Sequence, residues 1–523
     1  MNGKKLSRRD FLKGATVAGA SVAALGLASC DTQGDPVPPE QKPDEITWDK
    51  EIDIFITGSG ACAMVAACVL ADAGKSVLIV DKNPKFGGCS VLAGGNISWG
   101  GPIQSQSGAW SDFTADAAYD RLRDISVREN KKNDPALVRK FVDNTSATHQ
   151  FLLDHGVKLL DASGATPLTY IYEYEADPGP GNPLVNSDGS FCGSGLVRPL
   201  ADAAREKGVE ILEEHEVIRL VREESGKVVG GVAVNNGKEL YFKGNDAVLI
   251  ASGGWKGHKV LRKLFDPRIP EDMGHTGEPY AINDGKVIDA AMAIGAAICS
   301  DNSNDTALFR NKFGTPLYNY RPGEDIAAPG ITVSASQSDV FIYVNSKGER
   351  YVDETRTISN ASLFDPTFLA DDYTVWLILD EEGRAKYNYD VTAPRCDPDY
   401  AYSADTIEDL ATKTGLPASA LAATVNKYNG YVDAGADPDF NKPADKLTSK
   451  ILTAPFHAVR VMFYVHDTAG GLWITGDGQV KDFSGNIIPG LYAGGDAAGG
   501  LGVIGLPRAC TQGYIAANHI LKS

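Results

Sequence analysis

The sequence lacks any pair of cysteines spaced to grip a metal or a haem. Its eight cysteines, Cys30, Cys62, Cys68, Cys89, Cys192, Cys299, Cys396 and Cys510, form no C-x-x-C and no C-x-x-C-H. Sequence-evident covalent haem, zinc ribbons and ferredoxin clusters are thereby excluded, no metal site is expected, and the scattered thiols read as small buried hydrophobes. Positive charge is short as well: 50 Lys and Arg stand against 68 Asp and Glu, a formal net charge of -18. Such a surface repels nucleic acid and anionic lipid, so no polynucleotide partner is expected. An anionic substrate would have to be caught by locally placed Arg or His. At 523 residues the chain is long enough for two or three domains.

What is present begins with an export signal. Basic residues from Met1 to Arg9 precede an apolar run, Ala15 to Leu27, that is too short to span a bilayer. Ser7-Arg8-Arg9-Asp10-Phe11-Leu12-Lys13 resembles a twin-arginine motif, whose machinery carries folded, cofactor-loaded proteins. Leu27-Ala28-Ser29-Cys30 resembles a lipobox, in which Cys30 is lipidated and anchors the protein to the membrane; plain cleavage nearby is the alternative. Residues 1–30 are therefore taken as the signal, and the Pro-, Asp-, Glu- and Gln-rich stretch 31–49 as a tether.

The fold class expected is α/β. Glu51 to Ile56 reads as a strand, Gly58-Ser59-Gly60-Ala61-Cys62-Ala63 opens an alanine-rich helix through Asp72, and Lys75 to Val80 is a second strand ending at Asp81. Asp112 to His155 reads as largely helical, with no Gly before Gly156. Strands are expected at Glu216 to Arg222, Val228 to Val234 and Glu239 to Phe242, with a separate buried strand from Asp246 to Ile250. In the G-x-G-x-x-A turn, Gly58 makes the bend, Gly60 admits a pyrophosphate, Ala63 allows close packing, and the helix terminus faces the phosphates. Asp81 lies where a carboxylate can accept from an adenosine ribose.

Three further segments carry a family resemblance. Gly87-Gly88-Cys89-Ser90-Val91-Leu92-Ala93-Gly94-Gly95, Ala251-Ser252-Gly253-Gly254 and Gly490-Leu491-Tyr492-Ala493-Gly494-Gly495-Asp496 resemble stretches of the FAD-dependent fumarate reductase, urocanate reductase and 3-ketosteroid dehydrogenase superfamily. The resemblance implies noncovalent FAD in a Rossmann-like domain built from residues 50–290 and 461–523, with an α+β capping domain, 291–460, inserted between them. It implies cofactor contacts at Gly58, Gly60, Ala61, Ala63, Asp81, Lys82, Gly88, Cys89, Ser90, Gly94, Gly95, Val217, Ala251, Gly253, Gly254, Asp496, Thr511 and Gln512. Glycine amides near the ring would stabilise charge on reduced flavin.

The same resemblance implies hydride chemistry on an activated carbon-carbon bond, with a proton donor opposite the flavin. Val344-Asn345 through Glu354 is similar to the family's V-N-x-x-G-x-R-[FY]-x-[ND]-E element. Fumarate reductases place their donor Arg four residues after that Glu; this chain has Ile358 there and Arg356 two residues earlier. His466-Asp467-Thr468 stands for H-H-T, Gln337 falls at the proton-relay Arg, and Arg508 falls near the carboxylate-binding Arg. The catalytic candidates are thus Arg356, His466, Asp467 and Arg508, while Arg350 reads as a brace to Glu354. Tyr170, Tyr172 and Tyr174 would share one strand face, as packing or as the lining of an aromatic pocket. The activity implied is an ene-reductase distinct from fumarate reductase, fed by a separate cytochrome, quinol-linked protein or flavoprotein. A 3-ketosteroid-type dehydrogenase and a non-catalytic electron-transfer flavoprotein are the alternatives.

Overall fold

A computed structural model describes residues 46–93, 95–105, 107–128, 133–162, 164–171, 193–265, 267, 275, 283–299, 307–313, 335–355, 375–389, 391, 401–503 and 505–523. The signal, the tether up to residue 45, and Cys30 with its lipidation lie outside them.

The chain opens on β1 (Lys50–Thr57), whose Ile54, Phe55 and Ile56 are wholly buried. A strand apolar on both faces belongs in the middle of a helix-covered parallel sheet. There β1 pairs in parallel with β2 (Val77–Val80) on one side and with β9 (Lys238–Ile250) on the other. Between β1 and β2 runs the helix Ala61–Asp72, every residue of which is buried from Ala61 to Ala71. Its alanines let the last helix, Leu506–Ile520, cross so closely that a Cβ on Gly513 would stand 2.3 Å from the Cys62 carbonyl oxygen.

A small antiparallel sheet packs beside this unit: β3 (Asn96–Ser98), β4 (Leu159–Asp161) and β5 (Leu168–Ile171), with β5 in the centre. β6 (Glu210–Leu212) then extends the main sheet beyond β2, while β7 (Glu216–Arg222) and β8 (Val228–Asn235) form an antiparallel excursion against the first half of β9. β10 (Ile298–Cys299) leads to a second antiparallel sheet made of β11 (Ala307–Phe313), β12 (Phe341–Asn345), β13 (Val375–Asp380), β14 (Ala401–Ala404) and β15 (Phe456–Thr468). Helices Ile407–Thr414 and Ala418–Ala434 bury Leu410, Leu421 and Tyr428 against it. β16 (Gly471–Leu472) pairs with β10, and β17 (Gln479–Lys481) and β18 (Ile487–Ala493) close the main sheet beside β9. The α/β expectation holds.

Two readings need correction. The stretch 112–155 holds two helices, Ala115–Arg128 and Pro135–Asp154, because Pro135 has no amide to give and Asp134 caps the second start through the Ala136 N–H. The two strands expected at Glu239–Phe242 and Asp246–Ile250 are one continuous strand, β9, in which a register shift opposite Ile52 and Ile54 absorbs the Gly-Asn-Asp sequence.

The helix Pro135–Asp154 also carries a buried titratable group. His149 is 1% exposed, lies edge-on to Trp99, and has no hydrogen-bond partner for either ring nitrogen among the described residues. Burial lowers its pKa from 6.5 to about 4, against a weaker opposing pull from Asp161. The folded protein therefore holds the ring neutral, whereas the unfolded chain gains a proton below pH 6.5. Stability from this site is complete above that pH and declines toward pH 4, at a limiting slope of about 1.4 kcal/mol per pH unit. His149→Leu should flatten the fall in melting temperature between about pH 7 and about pH 4.5; an unchanged pH slope would show that other groups set it.

Candidate functional site

The site starts at the turn after β1. Gly58 has φ +85, and its amide bonds the Val80 carbonyl at 2.7 Å, tying β1 to β2. Ser59 is the hub of this turn. Its amide and Oγ both donate to Asp81 Oδ2, at 3.0 and 2.5 Å, and its Oγ accepts the Gly87 amide at 2.8 Å. Asp81 Oδ1 receives the Asn83 amide and Nδ2 at 2.9 and 3.0 Å. Each carboxylate oxygen thus already accepts two bonds, so a ribose hydroxyl arriving here must exchange with one of them, the Asn83 side chain being the most easily released. Gly60 caps the helix Ala61–Asp72 in extended conformation, and the Ala61 amide donates to Ser90 Oγ at 2.9 Å.

Around this turn lies a cavity of about 540 Å³. It is lined by Asp81, Lys82, His215 and Val217, by Gly58, Gly60 and Ala61 of the turn with Ser90 beside them, and by Leu92, Asn96, Ser98, Leu168, Leu506 and Pro507. Gly88, Cys89, Ala251, Gly253 and Asp496 also face it. Among the expected contacts, Ala63, Gly95 and Gly254 are not part of this lining, and Gly94 falls outside the described residues. Lys256, Asn283 and Asp284 line the cavity although sequence reasoning passed over them. The signal was there: Asn283-Asp284-Gly285 is a turn sequence, with φ +57 and +73 at its Asn and Gly, just before the helix Lys286–Ala293. Asp284 pairs with Lys82 at 2.7 Å, so the segment closes on the end where Asp81 stands.

Gly58 permits a direct test. A Cβ there would lie 2.6 Å from the Ala251 carbonyl oxygen, in a backbone region that costs an L-residue about 1–2 kcal/mol before any clash. Gly58→Ala should purify without bound cofactor, read as loss of visible absorbance; a fully loaded variant would refute the assignment of the turn.

At the far end Asp496 is followed by the last helix, which starts at Leu506 with Pro507 in its first turn. Arg508, wholly buried, pairs with Asp496 Oδ1 and donates to the carbonyls of Thr468 at 2.9 Å and Leu501 at 3.2 Å. Thr511 and Gln512 sit one turn deeper, off the cavity wall, and Gln512 Oε1 receives the Gly495 amide at 2.8 Å. Burial pushes the Cys62 thiol up to about 12, with Arg508 pulling down and Asp496 pushing back, so it stays protonated at neutral pH. The backbone of His466 and Asp467 lies on β15, where Asp467 pairs with Leu308 of β11; their side chains are outside the description. Arg356, Ile358, Tyr172 and Tyr174 lie outside the described residues, and Gln337 accepts a hydrogen bond from the Tyr389 hydroxyl at 3.1 Å.

A parallel sheet with a glycine turn, an acid on the neighbouring strand and a long cavity reaching a second helix start defines a dinucleotide-binding flavoprotein. The chain belongs to the FAD binding domain family, matched over residues 53–511, and FAD is its cofactor. Residues 5–26 match the signal sequence of the twin-arginine translocation pathway, so the chain carries an export signal. It is 26% identical to the acrylate reductase flavoprotein subunit of Shewanella woodyi, covering 99% of each chain. It is 28% identical to the NADH:acrylate oxidoreductase of Vibrio harveyi over 87% of this chain, but spans only about half, 48%, of that relative. The open conformation of a flavocytochrome c3 fumarate reductase superposes with a TM-score of 0.71 at 22% identity, over 99% of this chain and 82% of the other.

Proposed function

We propose that this chain is an exported FAD-dependent ene-reductase that acts on a small conjugated substrate and draws its electrons from a separate protein. The observation that carries this is the cavity lined by Asp81, the Gly58–Ala61 turn and the start of the last helix, in a chain that a reductase flavoprotein subunit matches over 99% of its length. FAD, when bound, supplies the hydride. The rest falls to side chains. The turn at Gly58–Ala61 and the helix terminus behind it hold the phosphates. Asp496, fixed by Arg508, faces the cavity where the ribityl chain would run. Arg508 acts by holding Asp496 rather than by meeting substrate, because its pairing with that carboxylate leaves its charge balanced. Arg356 is assigned to deliver the proton, and His466 and Asp467 to orient substrate from residues 291–460 acting as a cap. Lipidation at Cys30 would keep the enzyme at the membrane near its electron donor.

The test uses anaerobically reduced holoenzyme mixed with fumarate, acrylate, urocanate or an aryl enone while flavin reoxidation is followed. At least one alkene should reoxidise it. No response to any of them, together with reduction of the oxidised enzyme by saturated 3-ketosteroids, would overturn the proposal in favour of dehydrogenation. Arg356→Lys should shift the pH profile of turnover; an unchanged profile would remove that residue from the donor role.

A further inference from the structure

The β3–β5–β4 sheet has one buried face and one open face. Ile97, Thr169 and Ile171 point inward at 0 to 1% exposure, with Trp99 Nε1 donating to Thr169 Oγ1. By alternation, Asn96 and Ser98 of β3 point the other way. Their direct partners on β5 are Tyr170 and Leu168, and Leu160 of β4 lies opposite Tyr170, so these five side chains share a face. Asn96 and Ser98 are exposed and the other three half-buried. Asn96, Ser98 and Leu168 line the FAD cavity together with Leu506 and Pro507 of the last helix. Adenosine belongs beside Asp81 and the pyrophosphate at the helix start, which leaves the part of the cavity that Asn96, Ser98 and Leu168 share with the last helix for the flavin ring.

The chemistry of the face is uncharged: an amide, a hydroxyl, two leucines and a phenol ring. Asp161 of β4 is turned away and held by Ser105 Oγ at 2.5 Å and by the Ser107 amide at 2.8 Å. A carboxylate laid here would lose water and find no cation among these five side chains, and the buried Arg508 is already paired with Asp496. An aromatic ring, in contrast, gains stacking on Tyr170. Asn96 Nδ2 and Ser98 Oγ can donate to a carbonyl as negative charge builds on it.

Building on the reductase reading above, we propose that this face is the substrate shelf and that it selects a neutral aryl enone. FAD, when bound and reduced by the separate electron donor, would supply a hydride to the carbon β to the carbonyl. An acid would give a proton to the α carbon, so that the C=C bond becomes CH–CH while the cofactor returns to its oxidised form. Asn96 and Ser98 hold the carbonyl oxygen during this change, and Tyr170 carries the ring.

Four probes separate charge from ring: benzylideneacetone and cinnamate share the aryl alkene, while methyl vinyl ketone and acrylate lack the ring. With reduced holoenzyme, kcat/KM for flavin reoxidation should favour benzylideneacetone over cinnamate by at least about tenfold. Tyr170→Leu should raise KM for benzylideneacetone about tenfold, with little change for methyl vinyl ketone and with FAD content unchanged. Asn96→Leu should lower kcat for both ketones in FAD-saturated enzyme. A preference for the carboxylates, or an aryl advantage that survives both Tyr170→Leu and Tyr170→Ala in loaded protein, would overturn the shelf while leaving the reductase reading standing. Silence with all four probes and with fumarate and urocanate would instead defeat the reductase reading, and the shelf with it.

Discussion

Arg508→Met is expected to destabilise the folded protein by about 3–5 kcal/mol, the usual cost of removing one partner from a buried ion pair. It should also release FAD. The guanidinium is fully buried and touches three parts of the chain at once: Asp496, the Thr468 carbonyl at the end of β15, and the Leu501 carbonyl in the loop before the last helix. Methionine fills the volume but leaves two buried carbonyls without this donor and deprives Asp496 of its cation. Asp496 faces the cofactor cavity, so its displacement should be felt there first. Melting temperature and FAD retained after gel filtration measure both effects. A variant that melts like the wild type, keeps FAD and loses only turnover would return Arg508 to the substrate-anchoring role that its sequence position implied.

That contrast shows how the site divides into what the sequence revealed and what it did not. The turn at Gly58, Asp81 and the Gly88–Ser90 segment were legible because a phosphate cradle needs fixed residue types at short spacing along one βαβ unit. The expectation for Arg508 did not include its pairing with Asp496. Twelve residues separate the two, and only the fold of the loop between them brings the charges together. Lys256 was missed because it lies two residues past the Ala251–Gly254 segment, and Asn283 because its turn belongs to the helix that follows it. β9 was divided in two because Gly244-Asn245-Asp246 carries strong local turn character. Pairing with β1 on both sides of the register shift, with β8 beside the first half and β18 beside the second, overrides that preference. The Asn96–Tyr170 pairing could not be read at all, since register between strands more than seventy residues apart is set by tertiary packing.

The second large effect is expected in the cluster beneath the β11–β15 sheet. Glu354 is 1% exposed and takes a two-pronged hydrogen bond from Arg350, at 2.7 and 2.8 Å, while its Oε2 lies 3.1 Å from Lys442 Nζ. Arg350 reaches on to Asp437 at 2.8 Å and stacks its guanidinium near Phe440 and Tyr428. Burial alone would raise the Glu354 carboxyl, but the Lys442 charge and the hydrogen bonds and charge of Arg350 outweigh it and hold it below its ordinary 4.5. Its stabilising contribution is therefore present above that pH and lost as the pH falls below it. Glu354→Gln removes the one carboxylate shared by two buried cations and should cost about 3–5 kcal/mol. Turnover should fall further than stability alone explains, because the same segment runs through Thr355 directly into Arg356. Glu354→Leu combined with Lys442→Met removes a buried charge of each sign and should recover much of the lost melting temperature, leaving Arg350 to Asp437. Recovery of stability without recovery of turnover would separate the brace from the chemistry. A Glu354→Gln protein as stable as the wild type at neutral pH would show that Asp437 alone suffices to balance both cations.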